Sequence, residues 1–138
     1  CRDLADTLKV TNLDFIDWQT PQQLRERAER AHLLLGIFGS TEKAKRVIPN
    51  KAFQALSLGK PLLTGRSPGI AELLTEGRDA LLCDLADARS LANAIESART
   101  DYAEALEIGR RGLETFLREA SRPRRVQVLR RSIDEIGG

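Results

Sequence analysis

The sequence predicts an α/β fold in which a parallel sheet lies between helix layers and the C-terminus is helical. Three observations carry this. Short apolar runs alternate with amphipathic ones from Asn12 to Cys83. Two of those runs, HLLLGIFG and KPLLTG, are apolar on successive residues, as parallel strands covered on both faces tend to be. Beyond Cys83 the apolar spacing is helical to the end. The 138 residues contain no internal repeat or linker and suit one domain, which buries roughly 68% of the surface its unfolded chain exposes.

The elements follow in order. NLDFIDW, from Asn12 to Trp18, reads as a strand, and PQQLRERAERA as a helix. Thr20 is placed to cap that helix, with Pro21 at its first position and Gln23 completing a capping box. HLLLGIFG is the next strand, followed by a polar, basic loop and the helix NKAFQALSLG, which Gly59 closes. KPLLTG is a strand, IAELLTEG a helix closed by Gly77, and DALLC a strand. Leu91, Ala92, Ile95 and Ala98 then make one apolar helix face, and Ala105, Leu106, Ile108, Leu113, Phe116 and Leu117 another. Ser121 to Pro123 breaks the chain before a last amphipathic helix marked by Val126, Val128, Leu129, Ile133 and Ile136.

Composition excludes several classes. Hydrophobic residues make up 41% and charged ones 30%, and no apolar run approaches the ~20 residues a membrane span needs. Cys1 and Cys83 are too few and too far apart for a disulfide framework or a four-ligand zinc site, which points to a reducing, cytoplasmic setting. The first ten residues have neither the basic stretch nor the apolar core of a signal peptide, and the chain has no Met, so an upstream segment is expected.

The net charge of +2 argues against a general nucleic-acid binder, but the charges are unevenly spread. From Gly36 to Arg66, Lys43, Lys45, Arg46, Lys51, Lys60 and Arg66 face only Glu42, and a phosphate-bearing ligand favours such a stretch. From Ser67 to Glu107 acids outnumber bases. From Gly109 to Arg131 eight arginines face two glutamates, which suits solvation first and a membrane surface or acidic partner second.

Familiar motifs are absent. GKP at Gly59 to Pro61 is not a phosphate loop, because Gln54 stands where that motif needs glycine and Pro61 where it needs Ser or Thr. No GxGxxG occurs, so no dinucleotide fingerprint supports a nicotinamide or flavin enzyme. His32, the only histidine, opens a strand without a nucleophile and acid to complete a catalytic set, so a packing role is expected. The informative segment runs from Phe38 to Gly69. It leaves a strand, crosses a basic loop and enters a helix near Asn50, where free amides and Lys51 suit an anion in the crevice beyond the carboxyl ends of the strands.

The order of a strand, a Gly-Ser loop, IPNKAFQALSLGKPLLTG, SPGIAELLTEGRDALLC and a helix beginning ADARSLANAI resembles the C-terminal lobe of group 1 retaining glycosyltransferases, the GT-B family 4 type. Their signature is Glu-Gly-Phe-Pro, four variable residues, then Glu-Ala-x-Ala-x-Gly-x-Pro-Val. Here Pro49, Ala55, Gly59 and Pro61 match it, whereas Arg46 and Gln54 replace the two glutamates. The resemblance implies a Rossmann-like sheet in a donor-binding lobe that takes a nucleoside diphosphate sugar. It also implies that two earlier strand-helix units and a separate acceptor lobe are missing, that Cys1 to Lys9 ends the helix of the second missing unit, and that the absent strands lie between NLDFIDW and HLLLGIFG.

Carried onto this chain, the resemblance implies that Gly39, Ser40 and the run Val47, Ile48, Pro49, Asn50 and Lys51 hold sugar and phosphate, with Gln54 on the ribose. Gln54 can bond a diol through its amide, and Arg46 suits a phosphate or an acidic sugar. No metal or cofactor is called for. The expected function is sugar transfer with retention by the parent protein, in envelope or polysaccharide synthesis, with the Arg-rich end able to meet a membrane. The alternative, motivated by Arg46 and Gln54, is a non-catalytic lobe kept for binding or assembly.

Overall fold

A computed structural model describes residues 2–121, 123, 124 and 127. Among them a three-stranded parallel sheet of order β1-β2-β3 is flanked by helices. The elements are α1 (Arg2–Thr7), α2 (Pro21–Arg30), β1 (Leu34–Leu35), α3 (Glu42–Arg46), α4 (Asn50–Ser57), β2 (Leu62–Gly65), α5 (Pro68–Ala71), β3 (Leu81–Cys83), α6 (Ala88–Thr100) and α7 (Tyr102–Thr115), the last running into a π turn (Phe116–Ala120). Leu34 pairs with Leu62, and Leu63 with Leu81, so β2 is central. Every residue of β2 is buried, as its unbroken apolar run predicts.

Local chemistry sets most boundaries. The Thr20–Gln23 capping box forms around α2. At the end of α4, Gly59 takes a φ of +64°, its N–H donates to the Leu56 carbonyl at 3.0 Å and the Lys60 N–H to the Ala55 carbonyl at 3.2 Å. This is a Schellman closure, which a residue with a Cβ disfavours. Gly77 is different from the expectation. Its φ is +70°, but α5 already stops at Ala71, and Gly77 instead opens a tight turn in which its N–H donates to the Ala80 carbonyl at 2.9 Å. The IAELLTEG helix is thus only one turn long, because the buried Asp79 carboxylate captures the Thr75 N–H at 3.0 Å and diverts the chain.

NLDFIDW is not a strand. Thr11–Trp18 is wholly exposed and pairs with nothing among the described residues. Period-2 apolarity is a face in search of a sheet, and without a hydrogen-bonding neighbour the ladder cannot form. Trp18 is left 81% exposed. Arg2 of α1 lies over the Phe15 ring at 4.7 Å, which ties this segment to the first helix. His32 is exposed rather than sealed in a strand, and meets Tyr102 edge-on at 5.5 Å.

The core joins Ala52, Ala55 and Leu56 of α4 to Leu62, Ile70, Leu74 and Ala80. The buried face of α7 is not the leucine stripe that its sequence suggests. Ala105, Ile108, Gly109, Gly112 and Thr115 are buried, while Leu106 and Leu117 point outward. The small residues let α7 lie directly on backbone: a Cβ on Gly109 would stand 2.7 Å from the Gly59 carbonyl oxygen and the Pro61 nitrogen. On α6, Ala98 is buried but Ile95 remains 38% exposed. The final helix expected from Val126 to Ile136 lies outside the described residues.

Asp79, only 2% exposed, fastens the turn before β3 to α7. One carboxylate oxygen accepts the Thr75 N–H and the other accepts the Thr115 hydroxyl at 2.9 Å. Asp79→Ala strands both donors and should lower stability by about 2 to 3 kcal/mol in urea unfolding. A loss below about 0.5 kcal/mol would show that water replaces the carboxylate.

Candidate functional site

All three strands are parallel, so their carboxyl ends share one rim. There the chain leaves β1 through Gly36 to Ser40, β2 through Arg66 and Ser67, and β3 through Asp84. Hydrogen bonds knit the exits together. The Gly65 N–H donates to the Ile37 carbonyl at 2.9 Å, the Arg66 N–H to Cys83 at 2.8 Å, and the Ala86 N–H to Phe38 at 2.8 Å. The Thr64 hydroxyl adds a bond from the Ile37 N–H at 3.2 Å.

Helix α4 starts on this rim. Pro49 is its N-cap, with φ −70° and ψ 148°, and supplies no side-chain acceptor. The first-turn amides of Asn50 and Lys51 therefore keep their donors available, at the positive end of the helix dipole. The Lys51 ammonium reaches the Gly36 carbonyl at 3.4 Å, a long bond that places its charge over the end of β1 and leaves donors to spare. Gly39 and Ser40 lie exposed on the loop from β1. Asn50 and Gln54, one turn apart, open into a cleft of about 690 Å³ whose apolar side is Phe53, Leu73 and Phe116, with Ile48 at its edge. Gln54 also faces a smaller hollow of about 280 Å³ against Pro21, Leu24 and Arg25 of α2. Asn50 and Gln54 can therefore address the hydroxyls of one ligand, while Lys51 looks toward the strand rim.

The basic loop is not a loop throughout. Thr41 caps α3, accepting the Ala44 N–H at 3.2 Å, and Lys43, Lys45 and Arg46 fill its last turn. The signal was present in the sequence as Thr-Glu followed by a cationic end, the charge order a helix dipole favours. Arg46 ends this helix and Val47 caps it. The backbone between them is pressed against the start of α5, where a Cβ on Gly69 would stand 2.8 Å from the Arg46 carbonyl carbon and the Val47 nitrogen.

Charge along the rim is divided in a way that sequence counting misses. Arg66, counted with the basic stretch, is taken up by Glu76, with Asp84 at 3.4 Å. Glu76 first and Asp84 second hold the guanidinium more firmly in its charged form. The β2–β3 exit is thereby neutralised, while the cations Lys43, Lys45 and Arg46 of α3 and Lys51 of α4 lie on the two helices between β1 and β2. Cys83, beneath the rim and 2% exposed, has its thiol pushed up by burial, with Asp84 adding to the shift. It should remain protonated and react with iodoacetamide at neutral pH far more slowly in the native protein than in urea, as peptide mass mapping can show. Labelling at equal rates would contradict this.

Among the described residues no cluster of His, Cys, Asp or Glu is placed to hold a metal, and no helix is long and apolar enough to cross a membrane.

The family described as glycosyl transferase-like matches residues 4–131. Among solved structures, HepE of Anabaena in complex with UDP and glucose superposes with a TM-score of 0.80 at 16% identity, over 96% of this chain and 35% of that one. Sucrose-phosphate synthase from Thermosynechococcus elongatus gives 0.75 at 20% identity, over 97% and 34%. The C-terminal domain of a group 1 glycosyl transferase, LpcC, from Francisella tularensis gives 0.65 at 9% identity, over 88% and 60%. The chain thus has the Rossmann-like fold of a GT-B lobe and spans about a third of the length of the first two of these structures. No curated protein matches its sequence.

Proposed function

The chain belongs to the glycosyl transferase-like family, and from that premise we propose that it forms part of the donor-binding lobe of an enzyme that moves a sugar from a nucleoside diphosphate to an acceptor with retention. The observation that carries this is the Pro49-capped start of α4, with Lys51 over the end of β1. That HepE was crystallised with UDP and with UDP-glucose supports a nucleotide sugar as ligand.

In this site the chain's contribution is positional and electrostatic. The Asn50 and Lys51 amides and the Lys51 ammonium hold the diphosphate and stabilise the negative charge that grows on it as its bond to the sugar breaks. The exposed Gly39–Ser40 turn and the extended run Val47 to Pro49 frame the sugar. Gln54 bonds the ribose diol from the second turn of α4. Envelope or polysaccharide synthesis in the cytoplasm is the setting such a transfer fits, with the Arg-rich C-terminal stretch meeting anionic lipid beyond Arg110, Arg111 and Arg118, which are paired with glutamates.

The test is turnover by the whole protein with a panel of activated sugars, following the anomeric configuration of the product. Transfer with retained configuration is the expected result. The second reading, a lobe kept for binding or assembly, is favoured by Arg46 and Gln54 in place of two glutamates. Nucleotide-sugar binding without transfer or hydrolysis of any donor would decide for it.

A further inference from the structure

We infer that Arg46 selects donors whose sugar carries a carboxylate, such as a hexuronic acid. This rests on the donor-site reading above and adds the substrate class. Lys43, Lys45, Arg46 and Lys51 fall on two successive helices, α3 and α4, with Glu42 as the acid of α3, while Arg66 is neutralised by Glu76 and Asp84. A diphosphate alone leaves part of that positive charge unmatched.

Among the described residues, Lys43 and Arg46 are the cations of α3 whose donors are unused, and of the two only Arg46 carries a planar fork. Glu42 accepts the Lys45 ammonium at 2.9 Å, but its second oxygen lies 3.8 Å from the Arg46 guanidinium, too far for a hydrogen bond. Among the described residues Arg46 donates no hydrogen bond, and its side chain is 78% exposed. Its base is nonetheless fixed, because Gly69 brings α5 onto the backbone at Arg46 and Val47. A guanidinium rooted on rigid backbone and free at its tip is suited to a planar, two-bond grip on a carboxylate.

The spacing agrees. Val47 and Pro49 are both extended, so Arg46 stands at most about 13 Å from Asn50. That is the span of a diphosphate with one hexose. With the diphosphate held by Lys51 and the start of α4, the far side of the sugar falls within reach of Arg46.

The experiment measures binding of UDP, UDP-glucose and UDP-glucuronate to the whole protein, in the wild type and in Arg46→Gln and Lys51→Ala. The wild type should bind the glucuronate about ten-fold or more tighter than the glucose ester, Arg46→Gln should bring that ratio close to one, and Lys51→Ala should weaken all three ligands together. Equal wild-type affinity for the two sugars overturns the selectivity and leaves the donor site standing. An Arg46→Gln loss of equal size for UDP, glucose and glucuronate overturns it as well, because Arg46 is then a diphosphate ligand. If the wild type binds none of the three, the donor site itself falls and the selectivity with it.

Discussion

Gly109→Ala should destabilise the protein by about 1 to 3 kcal/mol, even though alanine is the better helix former by about 1 kcal/mol. The added methyl group has no side chain to displace. It would stand 2.7 Å from the Gly59 carbonyl oxygen and the Pro61 nitrogen, both of them backbone in the turn that ends α4 and feeds β2. Relief requires α7 to lift from that turn, opening the core cluster against which Phe116 packs. Gly112→Ala should behave alike, since its Cβ meets the Asp79 carbonyl oxygen at 2.7 Å and the Leu56 side chain at 2.8 Å. Urea unfolding of the whole protein reads both. An unchanged or raised midpoint would mean that α7 does not lie against those turns as described. Because the turn that Gly109 presses on closes α4, Gly109→Ala should also weaken ligand binding at the other end of that helix.

Lys51→Ala should weaken nucleoside diphosphate binding by the whole protein about ten- to hundred-fold, the worth of one charge-assisted hydrogen bond. Its ammonium now rests on the Gly36 carbonyl, a neutral partner at 3.4 Å, so the substitution removes little from the fold. Gln54→Ala should cost less, about five-fold, because a neutral amide on a diol is the weaker contact. The order of the two losses is diagnostic. A greater effect at Gln54 would place the diphosphate away from the start of α4, and no effect at either residue would remove the site from this rim. Unfolding midpoints should remain close to those of the unsubstituted protein, which separates lost contact from lost structure.

Much of this was legible in the sequence, and the exceptions have physical causes. The runs HLLLGIFG, KPLLTG and DALLC all contain strand, because an unbroken apolar run between turn residues has few other uses. The Thr20 cap and the Gly59 closure could be placed from residue type because their hydrogen bonds are local. Pro49 and Asn50 mark the start of α4 for the same reason. NLDFIDW failed as a strand because alternation reports what a segment could pair with and not whether a partner is present. Gly77 does not close a helix and α5 is short because Asp79, distant in sequence from any helix end, takes the Thr75 amide. The glycine face of α7 was hidden since hydrophobic periodicity weighs leucine over glycine, whereas close approach to backbone needs the reverse. At the site, counting charges found the basic stretch but could not see that Glu76 and Asp84 consume Arg66. Nor could it see that Gly69 fixes the backbone from which Arg46 extends.

The most direct measurement is a crystal structure of the whole protein with a bound nucleoside diphosphate sugar. The diphosphate oxygens are predicted to lie within about 3 Å of the Asn50 and Lys51 amides and of the Lys51 ammonium, at the carboxyl end of β1. A diphosphate seated elsewhere, with the first turn of α4 touching only solvent or protein, contradicts the assignment.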